Sequence, residues 1–154
     1  MSVEIERKFL VKNDSYRQME EACHDIDQYY LSDVPERTVR VRIYDNQAFL
    51  TIKSANVGAT RGEWEYEIPV DDAREMIARC CNKGITKKRH IVNYAGWRWE
   101  VDEFGGHLSG LTVAEIELPD ESASFELPPF VGKEVTGDSR YYNSVLSQAT
   151  SIPD

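Results

Sequence analysis

Residues Arg37 to Ile43 alternate strictly. Val39, Val41 and Ile43 fall on one side, and Thr38, Arg40 and Arg42 on the other. Side chains two apart on a β-strand share a face and sit about 6.6 Å apart along it, so this is a strand period and not a helical one. The same alternation recurs from Glu63 to Val70, where Trp64, Tyr66 and Ile68 oppose Glu63, Glu65 and Glu67. It recurs again at the start, where Glu4, Glu6 and Lys8 alternate with Ile5, Arg7 and Phe9. A chain written this way must be built from strands, and each strand must find a partner.

A pass along the chain predicts about eight short strands and few helices. After the first strand, 13–23 reads as a helix with Asn13 or Asp14 as N-cap. Asp27 to Leu31 is a second strand. Arg37 to Ile43 and Gln47 to Lys53 form a hairpin around Asp45-Asn46. The Glu63 to Val70 strand leads into a helix over Asp71 to Cys81, capped near Asp71 or Asp72 and stopped by Gly84. Ile85 to Tyr94 and Trp97 to Phe104 pair around Ala95-Gly96, and Leu111 to Leu118 is the eighth strand. Leu127 to Phe130 is loop, and 138–148 is a closing helix. Eight strands joined as neighbours either leave exposed edges or close into a barrel. An eight-stranded barrel has room inside for side chains or one small ligand. The fold class is an α+β chain dominated by β-structure, a closed antiparallel barrel with a few flanking helices.

The charged faces sort by sign. Glu4, Glu6, Glu63, Glu65, Glu67, Glu100, Asp102, Glu115 and Glu117 fall on strands one, five, seven and eight. Arg40, Arg42, Lys53, Lys87 and Arg89 fall on strands three, four and six. Lys8 accompanies the acids of strand one. A generic wet face would mix the types within each strand. Two arrangements fit the period: an apolar interior with a charged outer surface, or a charged tunnel with the apolar face outward. The second needs outer cover from the helices, and Trp64, Trp97 and Trp99 offer further cover or a homodimer interface.

The net charge of −9 leaves no basic excess for nucleic acid, and any anion site must be locally basic or carry a metal. No apolar run approaches a membrane span, and no signal peptide is visible. At 154 residues the expectation is one domain. Cys23, Cys80 and Cys81 do not form a disulfide framework, so a cytoplasmic setting is expected. No Cys/His spacing reads as a zinc site, and His24, His90 and His107 read as structural or surface residues.

Glu4-Ile-Glu6-Arg-Lys8 resembles the ExExK signature of the CYTH proteins, the triphosphate tunnel metalloenzymes. The likeness continues in order through Arg40-Val-Arg42, Thr51-Ile-Lys53, Glu65-Tyr-Glu67, Lys87-Lys-Arg89, Glu100-Val-Asp102, Glu115-Ile-Glu117, Glu134 to Asp138 and Arg140-Tyr-Tyr-Asn143. The chain departs from related bacterial members at Tyr142 or Ser139, where a lysine is frequent, at His90, where Tyr is common, and at Lys88, where Thr is common.

The resemblance implies a charged tunnel that takes a triphosphate-containing small molecule. It implies that Lys8, Arg40, Arg42, Lys53, Lys87, Arg89 and Arg140 contact the substrate; Tyr30, on the second strand, either faces the tunnel and orients water or substrate or is a packed ring. Glu4, Glu6, Asp102, Glu115 and Glu117 would hold Mg²⁺ or Mn²⁺, at two sites. Catalytic roles fall to Glu6, through the metal, and to Lys8 or Lys87 in proton transfer. Glu63, Glu65, Glu67 and Glu100 would support the tunnel cations. The expected activity is hydrolysis of inorganic tripolyphosphate to pyrophosphate and orthophosphate. The alternatives are an adenylate cyclase of the CYTH type, a thiamine triphosphatase and a non-catalytic polyphosphate-binding module.

Overall fold

The computed structural model describes residues 2–81 and 84–153. Nine strands make one antiparallel sheet: β1 (Ser2–Val11), β2 (Glu20–Val34), β3 (Arg37–Tyr44), β4 (Gln47–Ser54), β5 (Thr60–Ile68), β6 (Gly84–Tyr94), β7 (Trp97–Phe104), β8 (Thr112–Glu117) and β9 (Val131–Glu134). The order is β5-β4-β3-β2-β6-β7-β8-β1-β9, and a β5–β1 pairing closes the first eight into a barrel. β1 is the closing stave. Residues 6–10 pair with β8, residues 2–5 pair with β5, and Phe9 and Val11 pair with β9. Both edges of β1 are therefore covered, which removes the open edge that an eight-stranded meander would expose.

Among the described residues three α-helices are present: α1 (Tyr16–Met19), α2 (Val70–Cys80) and α3 (Asn143–Leu146). The expected helix over 13–23 is corrected to one turn followed by strand. From Glu20 onward β2 pairs with β6, and from Ile26 also with β3, and this pairing overrides the local pattern. The expected closing helix over 138–148 is broken at Tyr142, whose backbone is extended, into a 3₁₀ turn (Ser139–Tyr141) and α3. β9 was not foreseen. Gly84 does not stop a helix; it opens β6, where a Cβ would lie 2.4 Å from the Tyr29 ring.

Of the two arrangements the period allowed, the charged interior is the one observed. The outward faces carry the apolar clusters. Phe9, Val92, Trp99, Val101, Ala114 and Ile116 pack under Tyr16 and the returning segment with Phe130 and Val131. Trp99 is fully buried there, so it serves as core and not as an interface. Val41, Ala48, Ile43 and Leu50 lie under α2 through Ala73, Met76 and Ile77. Inside, the register aligns Leu10, Val113 and Phe104 at one end, where they cluster with Ile85, Leu108, Leu111, Val135, Tyr141 and Leu146. This plug closes one end of the barrel with apolar surface, worth about 1.5–3 kcal/mol for each large side chain fully buried. The charged interior is thus a deep cup more than an open bore.

Candidate active site

Inner-face residues from all eight staves converge above the plug. Two adjoining cavities of about 60 and 190 Å³ share Glu4, Glu6, Arg40, Lys53 and Asn143 in their walls. The first adds Lys8, Tyr30, Thr38, Arg61 and Tyr142, and the second adds Arg42, Glu63, Glu65, Arg89, Glu100, Glu115 and Glu117. A water occupies about 30 Å³ of liquid, so together they admit several waters or a small polyanion.

Register explains the convergence. Lys8 stands opposite Glu115 and Glu6 opposite Glu117 across β1–β8. Arg89 stands opposite Asp102 across β6–β7, and Lys53 opposite Glu63 across β4–β5. The contacts follow. Lys53 Nζ lies 3.1 and 3.2 Å from the two Glu4 oxygens and 3.3 Å from Glu63. Lys8 Nζ lies 3.4 Å from Glu115 and donates to the Tyr141 carbonyl at 3.0 Å. Arg89 forks onto Asp102 at 2.8 and 2.9 Å, and Lys87 meets the same carboxylate at 2.7 Å. Such forked charge-assisted bonds fix rotamers as well as adding energy.

The cations differ in how far they are neutralised. Arg42 makes no ion pair among the described residues; its Nε and Nη2 donate to the amide oxygen of Gln28 at 3.2 and 3.1 Å. Gln28 is fully buried, and its NH₂ donates to the Tyr30 hydroxyl at 3.1 Å. Arg40 reaches Thr51 at 3.3 Å and Glu65 at 3.6 Å, while its buried Nε has no hydrogen-bond partner among the described residues. Thr51 in turn donates to Glu65 at 2.8 Å.

Like charges are neighbours here, and the titration behaviour records it. Burial, then Glu115 and Glu4, push Glu6 well above the ordinary carboxyl range. Burial and a hydrogen bond shared with Glu4 raise Glu63 to about 7. Burial, Arg40 and Arg89 bring Arg42 down to about 9. Burial also opposes ionisation of Glu4 and Glu115, but Lys53 and Lys8 respectively outweigh it and hold each at about 2. Asp102 is likewise held far below the usual range by Arg89 and Lys87, against burial. Lys8 is raised, because Glu115 and Glu6 overcome the effect of burial, so it stays an ammonium. Lys87 is lowered to about 7 by burial with Arg89 and Arg42, against the pull of Asp102. Of the two lysines, Lys87 is brought toward neutrality and Lys8 is not.

The site candidates separate further. Glu117 is exposed at the mouth beside the cavity. Glu100 lies 3.3 Å from Arg89 and 3.4 Å from Arg98. Glu67 is exposed and lines neither cavity, unlike Glu63 and Glu65. The exposed Arg140 side chain forks onto Asp138 at 2.7 and 3.1 Å and is outside both cavity walls. Asp102 stands apart from the other acids, since Arg89 and Lys87 already engage both its oxygens. Residues not foreseen are Gln28, Thr38, Arg61 and Asn143. Arg61 carries the inner-face parity of Glu63, but the alternation predicts a strand only from Glu63, whereas β5 begins at Thr60.

The donor set suits a hard divalent cation. Glu4, Glu6, Glu115 and Glu117 offer carboxylate oxygens around one cavity, which is the chemistry Mg²⁺ and Mn²⁺ prefer.

The sequence matches the CYTH domain over residues 2–150. It is 44% identical to an inorganic triphosphatase of Acetivibrio thermocellus over 95% of this chain and 94% of that protein. It is 36% identical to an inorganic triphosphatase of Nitrosomonas europaea over 97% and 99%. A crystal structure of an inorganic triphosphatase superposes with a TM-score of 0.68 at 34% identity, covering 100% of this chain and 99% of the other. Those likenesses run along the whole barrel, including the stave that carries Glu4, Glu6 and Lys8, and the chain belongs to the CYTH domain family.

Proposed function

We propose that this protein is a metal-dependent triphosphatase that hydrolyses inorganic tripolyphosphate to pyrophosphate and orthophosphate inside the barrel. The segregation of like charges carries the reading. Glu6 faces Glu4 and Glu115, whereas Arg42 faces Arg40 and Arg89. Their neighbours are partly paired, Glu4 with Lys53 and Glu115 with Lys8, but Glu6 and Arg42 themselves make no ion pair among the described residues, which calls for a cation beside one and a polyanion beside the other.

Arg42 and Arg61, which make no ion pair among the described residues, and Arg40, whose nearest carboxylate stands 3.6 Å away, bind phosphate oxygens first. Arginine forks suit such oxygens bidentately. Lys53, Lys8 and Arg89 add charge along the same wall, and Tyr30 orients a phosphate or water beside Arg42. Gln28 and Asp102 set the rotamers of Arg42 and Arg89. Glu4, Glu6, Glu115 and Glu117 would hold a divalent cation, and Asp102 would join them only by loosening its contacts with Arg89 and Lys87; such a cation would supply charge neutralisation and activation of water. Lys87, which lines neither cavity but meets Asp102 at 2.7 Å and is lowered to about 7, would be the lysine to exchange a proton near neutral pH, while Lys8 remains a fixed charge. The cationic wall and the metal reverse the local sign despite the net charge of −9. No helix among the described residues is long and apolar enough to cross a membrane. The three free cysteines accord with a cytoplasmic setting.

Phosphate release from tripolyphosphate, ATP and thiamine triphosphate, each with Mg²⁺ or Mn²⁺, tests the assignment. Tripolyphosphate should be the fastest, with one orthophosphate per turnover. Cyclic AMP from ATP without release from tripolyphosphate would transfer the chain to the cyclase reading.

A further inference from the structure

A second group of ligating side chains lies on the outside of the barrel. Cys23 on β2 stands directly opposite His90 on β6. Glu20 is three residues from Cys23, an odd spacing that puts two side chains on opposite faces of a regular strand. Here it does not. Glu20 pairs with Val92 and Ala22 with Ile91, so β2 carries one extra residue between them. This bulge reverses the parity and turns Glu20 to the face of Cys23 and His90. The carboxylate oxygen, the Sγ and an imidazole nitrogen lie within 4.8 Å of one another.

His90 is oriented for ligation. It is 7% exposed, its Nδ1 meets Glu20 in a very short contact, and its ring lies edge-on to Tyr16 at 5.1 Å. Its buried Nε2 has no hydrogen-bond partner among the described residues, and Glu103 Oε2 stands 3.6 Å away. Glu103 is itself held by the Tyr16 hydroxyl at 2.7 Å and by Arg17 at 2.8 Å. A carboxylate behind the non-ligating nitrogen is the usual support of a metal-bound histidine.

We propose that Glu20, Cys23 and His90 form a binding site for Zn²⁺ or a similar borderline cation, through His90 Nδ1, with Glu103 as the supporting carboxylate. The oxygen, nitrogen and thiolate set differs from the all-carboxylate set of the cup and selects a softer ion. Zinc–donor distances of about 2.0–2.3 Å put tetrahedral donors about 3.3–3.8 Å apart, so the side chains need only local rotation. Glu20 and Cys23 are exposed, which leaves water the fourth position and an open path of entry. The ion would tie the start of β2 to β6 on the outer wall, independently of the activity inside the barrel.

Co²⁺ titration of the full reduced chain tests this. One equivalent should produce a near-ultraviolet thiolate-to-cobalt band that Zn²⁺ abolishes. The band should be lost in Cys23→Ser and kept in a Cys80→Ser/Cys81→Ser double variant and in Glu6→Gln. Glu103→Gln should weaken Co²⁺ binding about 10- to 100-fold. In the Glu6→Gln background, Zn²⁺ should raise the melting temperature, and adding Cys23→Ser should remove that rise. No band in the parent chain, a band surviving in Cys23→Ser, or unchanged affinity in both Glu20→Gln and Glu103→Gln would overturn the site.

Discussion

Gln28 accepts two hydrogen bonds from Arg42, from Nε at 3.2 Å and from Nη2 at 3.1 Å. A neutral amide thus does for Arg42 what carboxylates do for Arg89 and Lys53, and the guanidinium keeps its full charge for the ligand. Gln28→Leu keeps the bulk and removes the acceptor. Hydrogen bonds to charged groups are worth about 1.5–3 kcal/mol, part of which a bound phosphate restores. The expected outcome is a KM for tripolyphosphate raised about 10-fold, near 1.4 kcal/mol, with a smaller change in kcat. Steady-state kinetics check it, and an unchanged KM counts against Gln28 as the positioning residue.

Arg7 forks onto Glu134 at 2.8 and 2.6 Å and joins β1 to the end of β9 on the outer wall. The hydrogen bond from Arg7 holds the Glu134 carboxyl below its ordinary range. The folded value is the lower one, so the stabilisation is complete above the unfolded pKa of about 4.3 and is lost as pH falls through the folded value. Both side chains are about one-third exposed (34% and 36%), which limits the pair to roughly 1 kcal/mol or less. Urea midpoints of Arg7→Met and the parent should differ at pH 7, and the gap should narrow as pH falls below the unfolded carboxyl value. A gap that does not narrow would show that the loss comes from packing of the Arg7 stem on Phe125, where the guanidinium lies 5.0 Å from the ring centre.

Ala95 and Gly96, which turn β6 into β7, have φ of 51° and 83°. Both values belong to the left-handed region that a two-residue type I′ hairpin requires. Glycine accepts it freely, whereas alanine is strained by about 1–2 kcal/mol. Ala95→Asn restores the favoured Asn-Gly pair and should raise stability by about 0.5–1 kcal/mol. A thermal melt reads the gain, and a fall in stability would contradict the turn assignment.

Most of the barrel was legible because period two is stored locally. Trp97–Phe104 was read to the residue, and β3, β4, α2 and β6 to within one residue at each end. The charged stripes were legible too, but their direction was not. Inside or outside depends on what covers the other face, and that cover includes the returning segment around Phe130 and Val131. β2 was missed from Glu20 to Ile26 because its polar residues owe their strand to β6, with β3 joining only at Ile26. Gln28 was missed because a lone amide has no pattern, and its meaning comes from Arg42 across β2–β3. The Glu20, Cys23 and His90 cluster spans 70 positions and depends on a bulge, so no linear spacing could reveal it. The Asp102 carboxylate was grouped with the other acids by parity and by the family resemblance; its contacts with Arg89 and Lys87 could not be read from either.

The central claim is that the carboxylates around Glu6 hold the cation on which tripolyphosphate hydrolysis depends. The most direct measurement is the initial rate of orthophosphate release from tripolyphosphate, with Mg²⁺, for the parent and Glu6→Gln side by side. Gln keeps the volume, removes the charge and cannot replace a carboxylate ligand, so the rate should fall at least about 100-fold, or roughly 2.7 kcal/mol of transition-state stabilisation. A Glu6→Gln variant that folds, shown by an unchanged melt, and turns over at the parent rate would contradict the account.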